Sequence, residues 1–287
     1  MEHLPEGAEA RLRKLKHLRM GTAGTREPRT VTPVDADFLE VVAANAGRVV
    51  GTMLRVQMLT GMRSSELCGM RPCDIDRDGP TWLYVPATHK TAHHGHERSI
   101  DLGPRVQEMI RSFMDRLVLK GEPEAYVFSP TAAWADYRAE QTKKRKTPAS
   151  YGNCAGSKRK ARPQRTPGIK YTAASYRRAV QRACDIAFPP PTPLAKIPAD
   201  PARKRKAETN PQRWARLTPK QRTELRKWRE LHRFHPHRVR HLFGTTVRKL
   251  AGAEAARLAL GHRHLRATEI YAQPNREAVR AVALRIG

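Results

Sequence analysis

Two stretches of this chain lack the means to build a core, and they constrain how the remainder must fold. Residues 141–170 hold ten Lys or Arg and no acidic residue, interspersed with Pro, Gly and Ser. Residues 188–217 are again Pro-rich and basic, with Pro189-Pro190-Pro191 and Lys204-Arg205-Lys206. Such segments bury too little apolar surface to offset the entropy of ordering them. Low order is therefore expected in 141–168 and around 190–215, and the core must come from the periodic segments on either side. The charge bears on function as well. Among 287 residues, 55 Lys and Arg face 27 Asp and Glu, a formal net charge of +28. An excess of that size implies a polyanionic partner, and nucleic acid is the commonest polyanion. The four cysteines, Cys68, Cys73, Cys154 and Cys184, form no C-x-x-C pair and point to a reducing compartment. The first residues carry no apolar signal segment, and no apolar run approaches membrane-spanning length. A cytoplasmic, nucleoid-associated protein is the expectation.

Residues 1–30 are polar and basic and are expected to form a tail or linker, with one domain over 31–287. Thr32-Pro33-Val34-Asp35 predicts a helix start with Thr32 as cap, followed by apolar residues at helical spacing from Phe38 to Ala44. A second helix is expected from about Arg48 to Thr60, broken by Gly61, with a short helix restarting near Arg63. Trp82 to Pro86 and Glu97 to Leu102 are strand-like and predict a β-hairpin with a basic, His-rich tip. Pro104 opens an amphipathic helix to about Leu119. From about 133 to 170 the pattern dissolves, so 133–170 and 188–217 are both expected to be basic insertions. Helices return over Ala173 to Ala187, from Thr218 to about Leu231, and throughout 236–286 with a break at Gly261. The fold class is mainly α with one small antiparallel sheet.

Four segments carry residues capable of chemistry. Arg63 follows a Gly turn, with Glu66 one helical turn on along the same face. Lys90 stands at the hairpin tip. His237, Arg240 and His241 share a helix face behind Pro236; no third ligand is placed to make the histidine pair a metal site, and neighbouring arginines oppose a dication. Leu260-Gly261-His262 ends one helix, and Tyr271 lies nine residues after that histidine on the next. Singly these segments have ordinary readings: a surface ion pair, a solvated edge lysine, a core aromatic.

Together they resemble the phage-type tyrosine recombinases. That family carries, in this order, T-G-x-R-x-x-E-L, a hairpin lysine, H-x-x-R-H, L-G-H, and a tyrosine nine residues after that histidine. The corresponding residues are Thr60-Gly61-Met62-Arg63 with Glu66-Leu67, Lys90, His237 with Arg240-His241, Leu260-Gly261-His262, and Tyr271. Tyr171 to Ala179 adds a Y-T-x-x-S-Y-R-R-A helix similar to that of bacterial integrases.

The resemblance implies site-specific DNA recombination or integration, as in phages and mobile elements, through a covalent 3′-phosphotyrosine. Tyr271 would be the nucleophile. Arg63 and Arg240 would clamp the phosphate with guanidinium forks. His262 would donate to a non-bridging oxygen, His237 would accept or position the tyrosine proton, and Lys90 would protonate the leaving 5′-oxygen. Glu66 would orient Arg63, and His241 would buttress the box. Cations replace the divalent metals of many nucleases, so no metal and no cofactor is implied. The implied partner is double-stranded DNA, bound as a homo-tetramer and without a membrane. Lys143, Lys144, Arg145, Lys158, Arg159, Lys160, Arg177 and Arg178 are the candidate backbone contacts. Two alternatives stand beside this reading: relaxation of DNA by a type IB topoisomerase-like chemistry, and a truncated, non-catalytic DNA-binding relative.

Overall fold

The structure is a computed structural model that describes residues 7–15, 31–88, 98–146, 168–200 and 206–262, with His264, Leu265 and Thr268. The chain forms two units, Met1–Val31 and Thr32–Gly287. The first contains α1, Ala8–Arg13. All that follows concerns the second, which is mainly helical with one three-stranded antiparallel sheet.

Helix α2 spans Ala36–Ala44, and its cap is Asp35, whose carboxylate accepts from the Phe38 N–H at 2.9 Å. The expected cap, Thr32, serves another purpose. The Arg238 guanidinium donates to the carbonyl of Thr32 at 2.8 Å and to its hydroxyl at 3.2 Å. Four residues ahead of the helix thus become a strap to a distant element, with Val34 buried beneath it. Helix α3, Gly47–Thr60, is apolar on most sides and packs against α2 and several later helices. It stops at Gly61, whose φ of 61° is a left-handed conformation that glycine adopts without a Cβ penalty. The turn leads into α4, Ser64–Cys68.

The sheet has the order β1-β2-β3: Ile75–Asp76, Trp82–Tyr84 and Ile100–Leu102. Trp82 pairs with Leu102 and Tyr84 with Ile100, and these four residues face the core while Leu83 and Asp101 face out. This is the alternation of a sheet with one covered face. The strand pair belongs to the expected hairpin; its tip, 89–97, lies outside the described residues. Helix α5, Pro104–Leu119, buries Val106, Ile110, Phe113, Met114 and Leu117, a single stripe at helical spacing.

Two expectations of irregular chain are corrected. Ser129 caps α6, Pro130–Lys143, so helix continues ten residues beyond 133. None of its residues is fully buried, so it presents no apolar stripe for a periodicity argument to detect. Similarly, α8, Asn210–Arg216, forms inside the basic 188–217 stretch, capped by Thr209. Its neighbour Leu217 joins Leu194 and Leu225 in a small separate core with Trp214 against it. Arg216 fastens the preceding loop by donating to the carbonyls of Pro193 at 3.0 Å and Ala195 at 2.8 Å. A few widely spaced apolar residues thus suffice to order a segment whose composition argues otherwise. Most of 141–168 lies outside the described residues.

Helices α7, Ala173–Ala187, and α9, Pro219–His232, start where Thr172 and Thr218 cap them. Phe38 of α2 stacks on Phe188 at the end of α7, with ring centroids 4.5 Å apart, and meets Phe234 edge-on at 6.1 Å. These contacts bring α2, α7 and the entrance of α10 onto one core.

The last described helix, α10, spans Pro236–Leu260, but it is not one rod. Gly252, with φ 88° and ψ 177°, interrupts it. Arg240 hydrogen-bonds the carbonyl of Leu260, twenty residues later. In a continuous helix twenty residues would separate them by about 30 Å. The chain must therefore double back at Gly252, which corrects the expectation of an unbroken helix to Gly261. The helical residues expected beyond 262 lie outside those described, apart from isolated positions.

Candidate active site

The Gly61 turn sets Arg63 at the N-cap of α4, with Glu66 in the first turn. Glu66 is buried and accepts twice from Arg63, from its backbone N–H at 2.7 Å and its guanidinium at 2.7 Å. Burial pushes the Glu66 carboxyl up, but the Arg63 hydrogen bonds and the nearby charge of Arg98 outweigh it and hold the group below its usual range. The carboxylate is ionised, and it fixes Arg63 so that its side chain stays only 22% exposed. Three buried polar groups secure this turn from behind. Gln57 donates to the Met62 carbonyl at 3.1 Å and accepts from the Tyr176 hydroxyl at 3.1 Å. Tyr84, from the sheet, donates to the Glu66 carbonyl at 2.8 Å.

Arg240 brings the remaining segments to the same point. It is 1% exposed. Its guanidinium donates to the carbonyl of Gly61 at 2.6 Å and to that of Leu260. Its Nη2 also lies 3.2 Å from Nε2 of His262. A guanidinium can only donate, so Nε2 accepts, and the imidazole proton belongs on Nδ1, 3.0 Å from the Thr268 hydroxyl. Burial, followed by the positive charges of Arg240, Arg63 and Arg98, lowers the His262 pKa to about 4. His262 is therefore neutral near pH 7. Burial and the proximity of His237 and Arg240 likewise lower His241 to about 4. His241 meets the exposed His237 edge-on, with ring centroids 4.9 Å apart.

Arg63, Glu66, Arg240, His241 and His262 thus share one site, with His237 at its margin. Lys90 and Tyr271 lie outside the described residues, as do Lys158, Arg159 and Lys160. Lys143 and Lys144 are exposed at the end of α6, where Lys144 pairs with Glu140 at 2.7 Å; Arg145 follows, partly covered. Arg177 and Arg178 lie on the outer face of α7, opposite buried Tyr176 and Val180. Among the described residues no group of three or more His, Cys, Asp or Glu could hold a metal ion. No helix among them is long and apolar enough to cross a membrane.

Sequence reasoning missed Arg98. It is 6% exposed, donates to the Ala259 carbonyl at 3.1 Å, and comes within 3.9 Å of Glu66. Gly261, with φ 62°, lies against it: a Cβ there would sit 2.6 Å from its Nη1. A signal was present. Arg98, Ile100 and Leu102 share the inward phase of the strand, and a cation on an apolar phase calls for a buried partner. Thr268 was also missed, and nothing local distinguishes it.

No protein-family model matches the chain, and no curated protein sequence matches it. Solved structures do. The chain is similar to the XerA recombinase at a TM-score of 0.48 and 15% identity, over 92% of this chain and 66% of that one. It is similar to the XerH site-specific recombinase bound to its difH substrate in a post-cleavage complex, at 0.46 and 15%, over 91% and 53%. It is also similar to the Tn1549 transposon integrase in complex with circular intermediate DNA, at 0.46 and 14%, over 91% and 67%. The chain spans between about half and two thirds of the length of these proteins.

Proposed function

We propose that this chain is the catalytic part of a tyrosine recombinase, cutting and rejoining double-stranded DNA through a covalent bond between Tyr271 and a 3′-phosphate. The observation that carries the proposal is the Arg240 guanidinium, which joins the Gly61 turn ahead of Arg63 to the Leu260 carbonyl and His262. Three motifs that are weak singly meet at one buried cation.

The Arg240 guanidinium, with the Arg63 fork, would stabilise charge on the phosphorus, a contribution of about 3 kcal/mol per fixed donor. His262 accepts at Nε2 from Arg240. A phosphate would counter the surrounding cations, raise its proton affinity, and let Nε2 donate to a non-bridging oxygen. His237, on the exposed side, would take or position the Tyr271 proton. Lys90 would protonate the 5′-oxygen, and religation would reverse the sequence without ATP because the phosphotyrosine conserves the bond. Lys143, Lys144, Arg145, Lys158, Arg159, Lys160, Arg177 and Arg178 would track the DNA backbone. Assembly as a tetramer around two duplexes, metal independence, and the division into a tail over 1–30 and a catalytic domain over 31–287 belong to the same proposal.

Covalent trapping tests it. Protein and chelator are mixed with nicked DNA fragments from around its own gene, which lose their 5′-hydroxyl end after cleavage. The expected result is a protein–DNA adduct that survives denaturing electrophoresis and is absent in Tyr271→Phe. An adduct that persists in Tyr271→Phe, or no adduct on any fragment, would refute the assignment.

A further inference from the structure

A cavity of about 600 Å³ lies between α7, α8 and α9, lined by residues the catalytic reading leaves without a role apart from Arg178. Its cations are Arg178, Arg182, Lys196, Arg213, Arg229 and Arg233, and its one acid is Asp185. That acid is already committed, since Arg233 grips both its oxygens, with Nε at 2.6 Å and Nη2 at 2.5 Å. Arg213 is 4% exposed, yet its Nε and Nη2 have no acceptor among the described residues. Arg229 Nε is in the same condition. The neighbouring Arg216 shows what the local backbone can offer, because it takes up the carbonyls of Pro193 and Ala195 as well as the Glu208 carboxylate. Arg213 Nε and Nη2 have no such partners among the described residues.

A buried guanidinium with idle donors is costly unless an anion completes it. Guanidinium forks match phosphate oxygens in geometry and charge. We infer that this cavity is a phosphate-binding site separate from the proposed catalytic residues. Its ligand is a phosphate group, carried either on a DNA strand or on a free polyphosphate. Burial disfavours the charged form of Arg213, and the nearby Asp185 carboxylate does not fully offset it; at Arg229 burial and the charge of Arg233 act in the same direction. The volume falls in the range of small-ligand sites and exceeds the needs of one simple anion.

The test compares the full-length chain with Arg213→Met and Lys196→Gln, the latter at an exposed position where folding is not at stake. Each is titrated calorimetrically with sodium tripolyphosphate, and by fluorescence anisotropy with a short duplex of unrelated sequence across a range of KCl concentrations. Tripolyphosphate binding that weakens about tenfold in both variants identifies a free polyphosphate as the ligand. If tripolyphosphate does not bind but the log–log salt dependence of DNA affinity falls by about one in each variant, the ligand is a backbone phosphate. Both measurements unchanged in the folded variants, Lys196→Gln deciding if Arg213→Met does not fold, would overturn the site.

Discussion

Arg240 and Arg213 are hidden almost equally, at 1% and 4% exposure, yet their surroundings differ. Arg240 donates to two backbone carbonyls and to an imidazole. Arg213 has two nitrogens with no acceptor among the described residues. The difference teaches that burial alone does not say what a cation is for. Arg240 is already part of the scaffold, so any chemistry it performs is inseparable from the geometry it maintains. Arg213 interacts with Asp185 and Glu208 by charge alone.

The largest expected effect follows from removing the satisfied cation. Arg240→Ala should lower covalent adduct formation by on the order of a thousandfold. It should also destabilise the fold by about 3 kcal/mol in urea denaturation, because it orphans the buried carbonyls of Gly61 and Leu260. Arg240→Lys should keep the charge but not bridge both carbonyls, and should recover little of either. If Arg240→Ala unfolds at the wild-type urea midpoint, the scaffold role fails.

Arg240 also joins two glycine turns. Both Gly61 and Gly261 have positive φ, and alanine at either should cost about 2 kcal/mol. The obstacles differ: the Phe243 ring stands 2.1 Å from a Cβ at position 61, while at 261 it is the flexible end of Arg98. Arg98→Met should therefore relieve part of the Gly261→Ala penalty and none of that of Gly61→Ala, as a double-mutant cycle would measure.

A smaller effect should appear with pH. His241 and His262 have folded pKa values of about 4, below the ordinary 6.5. Between those limits the unfolded chain binds more protons, so their contribution is complete above about pH 6.5 and is lost as pH falls toward 4. Thermal midpoints should fall across that window by several degrees, equivalent to about 1–2 kcal/mol after allowing for partial exposure. A flat profile in His241→Asn would assign most of the effect to that residue. The smallest effect has the opposite sign: in phosphate-free buffer, Arg213→Met should raise stability by about 1 kcal/mol, as replacing an incompletely paired buried charge can.

Much of the architecture was legible where local chemistry and tertiary packing agree. Pro104, Thr172 and Thr218 each open a helix, and each is followed by apolar residues that reach the core. The reading failed where packing overrides local pattern. Helix α6 has a Ser-Pro start but no buried face to advertise it. Helix α8 lies in a run of cations, and its order depends on Leu194 and Leu225 arriving from elsewhere. Asp35 displaced Thr32 as a cap because Arg238, two hundred residues away in sequence, draws the threonine elsewhere. In the candidate site, Arg63, Glu66, Arg240 and His262 were named from motifs, and they do converge. Arg98 was passed over, although strand alternation placed it inward. Where Lys90 and Tyr271 sit relative to this cluster lies outside the described residues.

The reversal at Gly252 has a consequence for which changes of length the chain can tolerate. Arg240 reaches the Leu260 carbonyl only because the chain reverses at Gly252, at a fixed distance along each arm from the two residues. One residue added to either arm would swing everything beyond it by about 100° around the helix axis and carry it 1.5 Å along. The Leu260 carbonyl and the His262 ring would both leave the guanidinium. The segment from 240 to 262 therefore acts as a fixed-length caliper. The caliper admits substitutions but no insertion or deletion.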